Sequence, residues 1–401
     1  MHCYSKEKSL DSLPAELLIE IIKQMDLNDL MEFRKTNKFV DIILEEIACD
    51  LLVKYNLTNR GNLLYKFIEY DCSSIEKITT YYEKIYNEKE INVANSKIKE
   101  LPLLPNVERL DCRNNQLISL PSGLTSLKEL YCQENHLTSL PGDMSSLEKL
   151  DCRNNLLTKL PDGMNSLKFL YCKDNQLTRL PDNMNRLIEL YCGGGQLESL
   201  PNGMNSLKEL YCGNNLISRI PNDMISLKIL VCNNNRLTRL PEITTSSLNG
   251  LFCGNNQLTS LPENMKFLVN LNCQNNQLTS LPSGLTSLKK LDCRNNQITE
   301  LPDDMTSLKF VHCENNQLIK LPDNMTSLKF LHCQNNQLTI LPENTTSSLK
   351  FLCCDNNQLT SLPNGMTSLE ELYSSNNHLI ELPNDLISIE ILDWYNNPVN
   401  L

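Results

Sequence analysis

The stretch Leu127-Lys-Glu-Leu130-Tyr-Cys132-Gln-Glu-Asn135-His-Leu137-Thr-Ser-Leu140-Pro141 decides the fold, because it returns about every 20 residues from near residue 91 to the end of the 401-residue chain. Aligned on itself, the chain reads LxxLxCxxNxLxxLPxxMxx in fifteen copies. A fixed period of this size marks a repeat architecture, in which each copy buries its apolar face only against its neighbours. Within a copy, the Leu-x-Cys alternation has the two-residue period of a short strand with one buried face. Stacked copies therefore predict a parallel sheet with one strand per copy.

The columns of this alignment say what each position does. The cysteine column runs through Cys112, Cys132, Cys152, Cys172, Cys192, Cys212, Cys232, Cys253, Cys273, Cys293, Cys313, Cys333 and Cys354, then Ser374 and Trp394. Two copies carry one extra residue, at 244–247 and 345–348, and the period resumes after each, as expected of insertions in loops. After the strand, Leu-Pro imposes an extended turn, and too few residues remain for a full helix, so a thin outer wall is expected. The methionines, such as Met144, Met224 and Met325, read as gap-filling core side chains. The thiols read the same way, as small apolar groups of a buried column.

Composition agrees with one extended array better than with several compact domains. A net charge of −11 argues against nucleic acid and against an acidic partner, since phosphate binding needs clustered Lys and Arg. No stretch approaches a membrane span, and Met1 to Leu10 is polar, so neither a bilayer segment nor a secretory leader is expected. Of the 17 cysteines, 13 fall in the repeat column, and that spacing points to reduced thiols in a cytoplasmic protein.

The periodic pattern resembles the leucine-rich repeat and covers about three-quarters of the chain. The resemblance implies an α/β solenoid: a horseshoe with short parallel strands on its concave face and a thin, mostly non-helical convex side. It also implies that the asparagine column, from Asn115 and Asn135 to Asn377 and Asn397, bonds backbone groups of neighbouring turns. Gly195 is the one departure in that column, in Gly193-Gly194-Gly195, and a gap with local weakness is expected there. The NNQLTSLP phrasing further resembles leucine-rich-repeat proteins of giant, Mimivirus-like amoeba viruses, which would place the chain in a host cytoplasm.

Residues 1–90 do not repeat and show helical periodicity. Pro14 suits a first helical turn, Leu17, Leu18, Ile21 and Ile22 share a face, and Asn28 or Asp29 can cap a second helix. The run LPAELLIEIIKQMDLNDLMEFRKTNKFVDII, from Leu13 to Ile43, is similar to the F-box, a three-helix motif that binds the Skp1 adaptor of cullin-RING ubiquitin ligases. That similarity assigns adaptor binding to Leu13, Pro14, Leu17, Leu18, Ile21, Leu27, Leu30 and Phe33. Phe39 and Thr36 stand where the family often has tryptophan and valine. The expected organisation is an F-box-like all-α motif at 1–45, a helical linker and amino-terminal cap at 46–90, and a repeat array at 91–401.

If Leu and Cys point inward, the residues between them line the concave face. One candidate docking patch there contains Tyr131, Phe169, Tyr171, Tyr191 and Tyr211, with charges at its rim. A second contains Phe310, Phe330 and Phe351 in one column and His312, His332 and Cys353 in the next. Imidazoles and a thiol about 5 Å apart are ligand types that zinc takes, so a metal site at His312, His332 and Cys353 is the minor alternative to a protein-binding patch. No phosphate loop, zinc helix or nucleophile motif is present, so neither an enzyme nor a cofactor is expected. The resulting expectation is a receptor whose head holds a Skp1-like adaptor while the concave sheet, roughly 70 Å long, selects a target protein. A repeat scaffold with no ubiquitin link is the alternative.

Overall fold

The computed structural model describes residues 88–398 except 102–103, 183, 243–246, 264 and 346. The adaptor-binding positions from Leu13 to Phe33, and the linker up to residue 87, lie outside the described residues.

Each turn contributes a three-residue strand, and sixteen strands form one parallel sheet in chain order, from β1 (Glu90–Asn92) to β16 (Ile391–Asp393). The register never slips: Leu130 sits between Leu110 and Leu150, and Leu331 between Val311 and Leu352. A slip of one residue would turn every leucine out of the core, so the alternation itself pins the register. The array was expected to begin at 91 with fifteen copies; the sheet begins at Glu90 with a sixteenth strand. Its turn, Ile91-Asn-Val93, is a degenerate copy in which valine replaces cysteine, and both apolar residues pack against the core.

The core is a single column between the sheet and the convex turns. Leu130, Cys132 and Leu137 are fully buried, and the same holds copy after copy for the equivalent leucines, thiols and methionines. The convex side is as thin as the spacing implied. A 3₁₀ turn, Glu343–Thr345, lies at the second insertion.

The asparagine column ties successive turns together. Asn155 shows the geometry: its Nδ2 donates to the carbonyls of Cys132 at 3.0 Å and Cys152 at 3.1 Å, and its Oδ1 accepts the Leu137 N–H at 2.9 Å. One amide thus satisfies backbone groups of two turns that water cannot reach. At Gly195 the ladder is interrupted as expected. Cys172 O and Cys192 O each keep one amide donor, from Asn175 and Asn215, where the neighbouring turns supply two. The residue before each of these asparagines is left-handed, with φ of 51° at Asn114 and 57° at Asn335, a conformation asparagine tolerates better than other non-glycine residues.

A convex clasp was not anticipated. The Gly123 N–H donates to Asp143 Oδ2 at 2.5 Å, and Gly203–Asp223 and Gly284–Asp304 repeat the bond at 2.5 Å. The Gly365 N–H donates to Asp385 Oδ2 in the same way. The sequence does carry its signal: wherever glycine stands two residues after the turn proline, with φ of 82° at Gly123, and aspartate stands there in the next turn, the bond forms.

Candidate functional site

Alternation in a strand sends the residues on either side of the buried leucine to the opposite face. Tyr171 and Phe330 are accordingly half-buried on the concave face, and no described element covers that face.

The amino-terminal patch is built on β3 (Glu129–Tyr131) and β5, β6 and β7 (Phe169–Tyr171, Glu189–Tyr191, Glu209–Tyr211). The rings of Tyr171 and Tyr191 lie 5.0 Å apart and those of Tyr191 and Tyr211 stack at 4.1 Å. Tyr131 is set apart by Asp151 on the intervening strand, and Lys149 Nζ bridges the two groups, 5.2 Å from the Tyr131 ring and 5.9 Å from that of Tyr171. The polar atoms here are already partnered. Tyr171 donates its hydroxyl to Glu189 at 2.6 Å, Tyr131 to Glu129 at 2.9 Å, and Arg153 holds Asp151 through two bonds of 2.7 and 2.9 Å. Burial, then the neighbouring Glu189, raises the Tyr171 phenol well above its ordinary value.

The carboxyl-terminal patch occupies β12, β13 and β14 (Phe310–His312, Phe330–His332, Phe351–Cys353). Phe310 and Phe330 stack at 5.1 Å, His312 and His332 at 4.3 Å, and His332 meets the Phe351 ring at 4.5 Å. The imidazole planes are within 12° of parallel. Nitrogen lone pairs lie in the ring plane, so parallel stacked rings do not aim at one ion. Among the described residues no group of three or more His, Cys, Asp or Glu side chains is arranged to hold a metal, which leaves the zinc alternative at His312, His332 and Cys353 without a site. Burial, then the charge of His312, lowers the His332 pKa. Burial, then Asp355, pushes the Cys353 thiol up to about 12. Burial works to raise the Glu314 carboxyl, but His312 and Arg294 beside it offset this and leave its pKa below the ordinary carboxylate value. Every described cysteine is free, and burial pushes the Cys212 thiol in the core up to about 12, so the ladder is protonated and inert.

Between the two patches the side chains shorten at Gly250 and Asn270. A hollow of about 480 Å³ opens there, walled by Phe252 and Phe310 and floored by Asn272, Lys290 and Asp292.

Sequence reading missed one column, that of the residue just before each strand. Backbone bonds run through it in register: Lys309 N–H to Lys289 O at 2.9 Å, Lys329 to Lys309 at 3.0 Å, and Lys350 to Lys329 at 2.9 Å. From Glu108 to Lys168 this column alternates in sign and pairs internally, with Lys128–Glu108 at 2.6 Å and Lys168–Glu148 at 2.7 Å, while Lys208 and Lys228 further along it make no ion pair with the described residues. In the carboxyl half Lys289, Lys309 and Lys329 are exposed and make no ion pair with the described residues, and Lys350 alone pairs, with Glu370 at 2.6 Å. The signal was present as lysine at one repeat position, hidden by reading charge as a chain-wide total.

Comparisons with known proteins agree with this architecture. The family model for leucine-rich repeats (two copies) matches residues 125–163 and 266–304, and the F-box domain model matches residues 10–39. The chain is similar to the solved structure of YopM, a leucine-rich effector protein from Yersinia pestis, at 32% identity over 77% of this chain and 88% of that one, with a TM-score of 0.65. A leucine-rich-repeat protein of Leptospira interrogans matches at 27% identity over 80% and 93% of the two chains, TM-score 0.65. The functional domain of InlJ from Listeria monocytogenes, described as including a cysteine ladder, matches at 28% identity over 75% and 70%, TM-score 0.68. No protein of curated function matches the chain significantly.

Proposed function

Because the chain belongs to the leucine-rich-repeat proteins and carries a head that matches the F-box domain, we propose that it is a substrate receptor, joining a target protein on its concave sheet to a Skp1-cullin ubiquitin ligase. The observation that carries this reading is the pairing of the F-box match at residues 10–39 with an aromatic-lined sheet face that no described element covers. Half-buried aromatic rings rimmed by charge are what protein interfaces use as anchors. The matched head contains Leu13, Pro14, Leu17, Leu18, Ile21, Leu27, Leu30 and Phe33, the positions assigned to the adaptor. In this role the chain itself catalyses nothing; ubiquitin transfer belongs to its partners, and the site of action is the cytoplasm, where such adaptors work.

Co-expression with a Skp1 adaptor tests it directly. The full chain is expected to retain the adaptor through purification. A variant carrying Leu17→Glu and Ile21→Glu is expected to lose it while the array unfolds at an unchanged temperature. Undiminished adaptor capture by that variant would refute the assignment.

A further inference from the structure

The lysine column of the carboxyl half has no internal reason to exist. Backbone bonds hold Lys289, Lys309, Lys329 and Lys350 on adjacent turns, about 5 Å apart. Like charges placed side by side across strands are destabilising. Duplication of repeats does not explain them either, since the same column elsewhere holds Glu108 and Glu148 between lysines, and Asn249 and Val269 just before the run begins. In a chain of net charge −11, three exposed lysines that make no ion pair with the described residues thus stand on successive turns beside aromatic rings. Beside that strip lie Phe310, Phe330 and Phe351, and at its amino end lies the hollow between Phe252 and Phe310, where Lys290 Nζ stands 5.4 Å from the Phe310 ring.

We propose that the strip Lys289–Lys309–Lys329, with the phenylalanines beside it, is the seat of an acidic peptide segment of the target, lying along the stacking direction with a large apolar side chain in the Phe252–Phe310 hollow. The proposal rests on the reading of the sheet as a docking face, and it is independent of what the head binds. Charge complementarity selects the occupant: carboxylates meet the free ammonium groups, while the rings beside them take apolar side chains. A nucleic-acid strand fits less well. The cationic strip is narrow, Lys290 at its amino end leans over the Phe310 ring at 5.4 Å, Arg294 is engaged by Asp292 at 3.3 Å and Glu314 at 3.4 Å, and the chain as a whole repels a long polyanion. The acidic partner that the total charge seemed to exclude is therefore favoured locally.

Fluorescence anisotropy with the full chain provides the test. The probes are a short labelled peptide of alternating glutamate and tyrosine, its lysine–tyrosine counterpart and a short oligothymidylate. The glutamate peptide is expected to bind at low salt and weaken as salt rises. Lys309→Glu with Lys329→Glu should weaken it by about tenfold or more, Phe330→Ala by severalfold, and Lys168→Glu, at a lysine that is already paired, hardly at all. Indifference to the Lys309 and Lys329 changes, equal binding of the lysine peptide, absence of any peptide binding, or tighter binding of oligothymidylate would each overturn the proposal. Peptide binding that survives those changes but is lost on Tyr191→Ala would sink the strip and leave the docking face standing. Loss of all peptide binding would count against both.

Discussion

The two halves of the sheet share a backbone and differ in how their charges are answered. From Glu108 to Lys168 the column before the strands alternates and closes on itself, and the tyrosines beside it spend their hydroxyls on Glu129 and Glu189. From Lys289 to Lys329 the cations stand unanswered next to bare phenylalanine rings. The fold is indifferent to this contrast, since these residues all lie outside the leucine and cysteine core. Positions free of structural duty are where a binding preference can be written. The stretch from Glu108 to Glu189, although it has more aromatic hydroxyls, offers fewer unmet interactions to a partner than the stretch from Lys289 to Lys329.

The comparison assumes that the scaffold beneath both halves is the same, and the asparagine ladder tests that assumption with the largest expected effect. Asn155→Ala in the amino half strands the Leu137 N–H and weakens two carbonyls; Asn336→Ala does the same to Leu318, Cys313 and Cys333. Each should lower stability by about 3 kcal/mol in urea unfolding, because buried groups left unpaired cost about 1–3 kcal/mol each. A clear inequality between the two would mean that the halves differ in frame as well as in surface. Gly195→Asn should act oppositely. The new amide can refill the gap at Cys172 and Cys192, and the gain should be about 1 kcal/mol, limited by the 3.1 Å approach of its Cβ to Asn215 Oδ1.

Mild acid separates the halves next. The folded-state pKa of His332 is lowered, so its contribution is present above the unfolded histidine value of about 6.5 and is lost as pH falls through the folded value. The groups facing it are His312, Glu314, Arg294, Cys353 and Phe351, of which Glu314, also lowered, responds in the same direction at lower pH. The phenols of Tyr171 and Tyr191 are raised, so their contribution is present below the ordinary tyrosine value of about 10 and fades only in alkali. Protection from amide hydrogen exchange, taken relative to the intrinsic base-catalysed rate at each pH, should therefore fall severalfold at Phe310–Cys353 between pH 7.5 and 5.5 and stay level at Phe169–Tyr211. His332→Phe should abolish the difference. A uniform response along the array would show that the histidine stack is not the titrating element.

Much of this was legible in the residues. Leu130, Cys132 and Asn135 recur with a period that leaves one solution for the backbone, and the core, the ladder and the gap at Gly195 all follow from it. The F-box match likewise falls on the run from Leu13 that patterning had set apart. What was not legible depends on neighbours 20 residues away rather than on spacing. Whether Tyr171 offers its hydroxyl or spends it on Glu189, and whether Lys309 has a partner, turn on which acid the next turn supplies. Metal capture by His312 and His332 looked possible from residue type, but side chains on adjacent parallel strands stack rather than converge.

Two single substitutions give the smallest effect and the one closest to the central contrast. Lys168→Gln removes a pair with Glu148 whose partners are 41% and 47% exposed, so it should lower the unfolding temperature slightly at low salt, in line with the few tenths of a kcal/mol typical of exposed pairs. Lys309→Gln removes the middle charge of an unpaired row and should raise it slightly. Both shifts should shrink at high salt, because interactions between exposed charges are screened by added ions. Opposite signs at low salt that converge at high salt are the signature of one half neutralised from within and one half awaiting charge from outside. If Lys309→Gln destabilises the chain, that lysine is held by an internal partner and the strip is no longer free to receive a carboxylate.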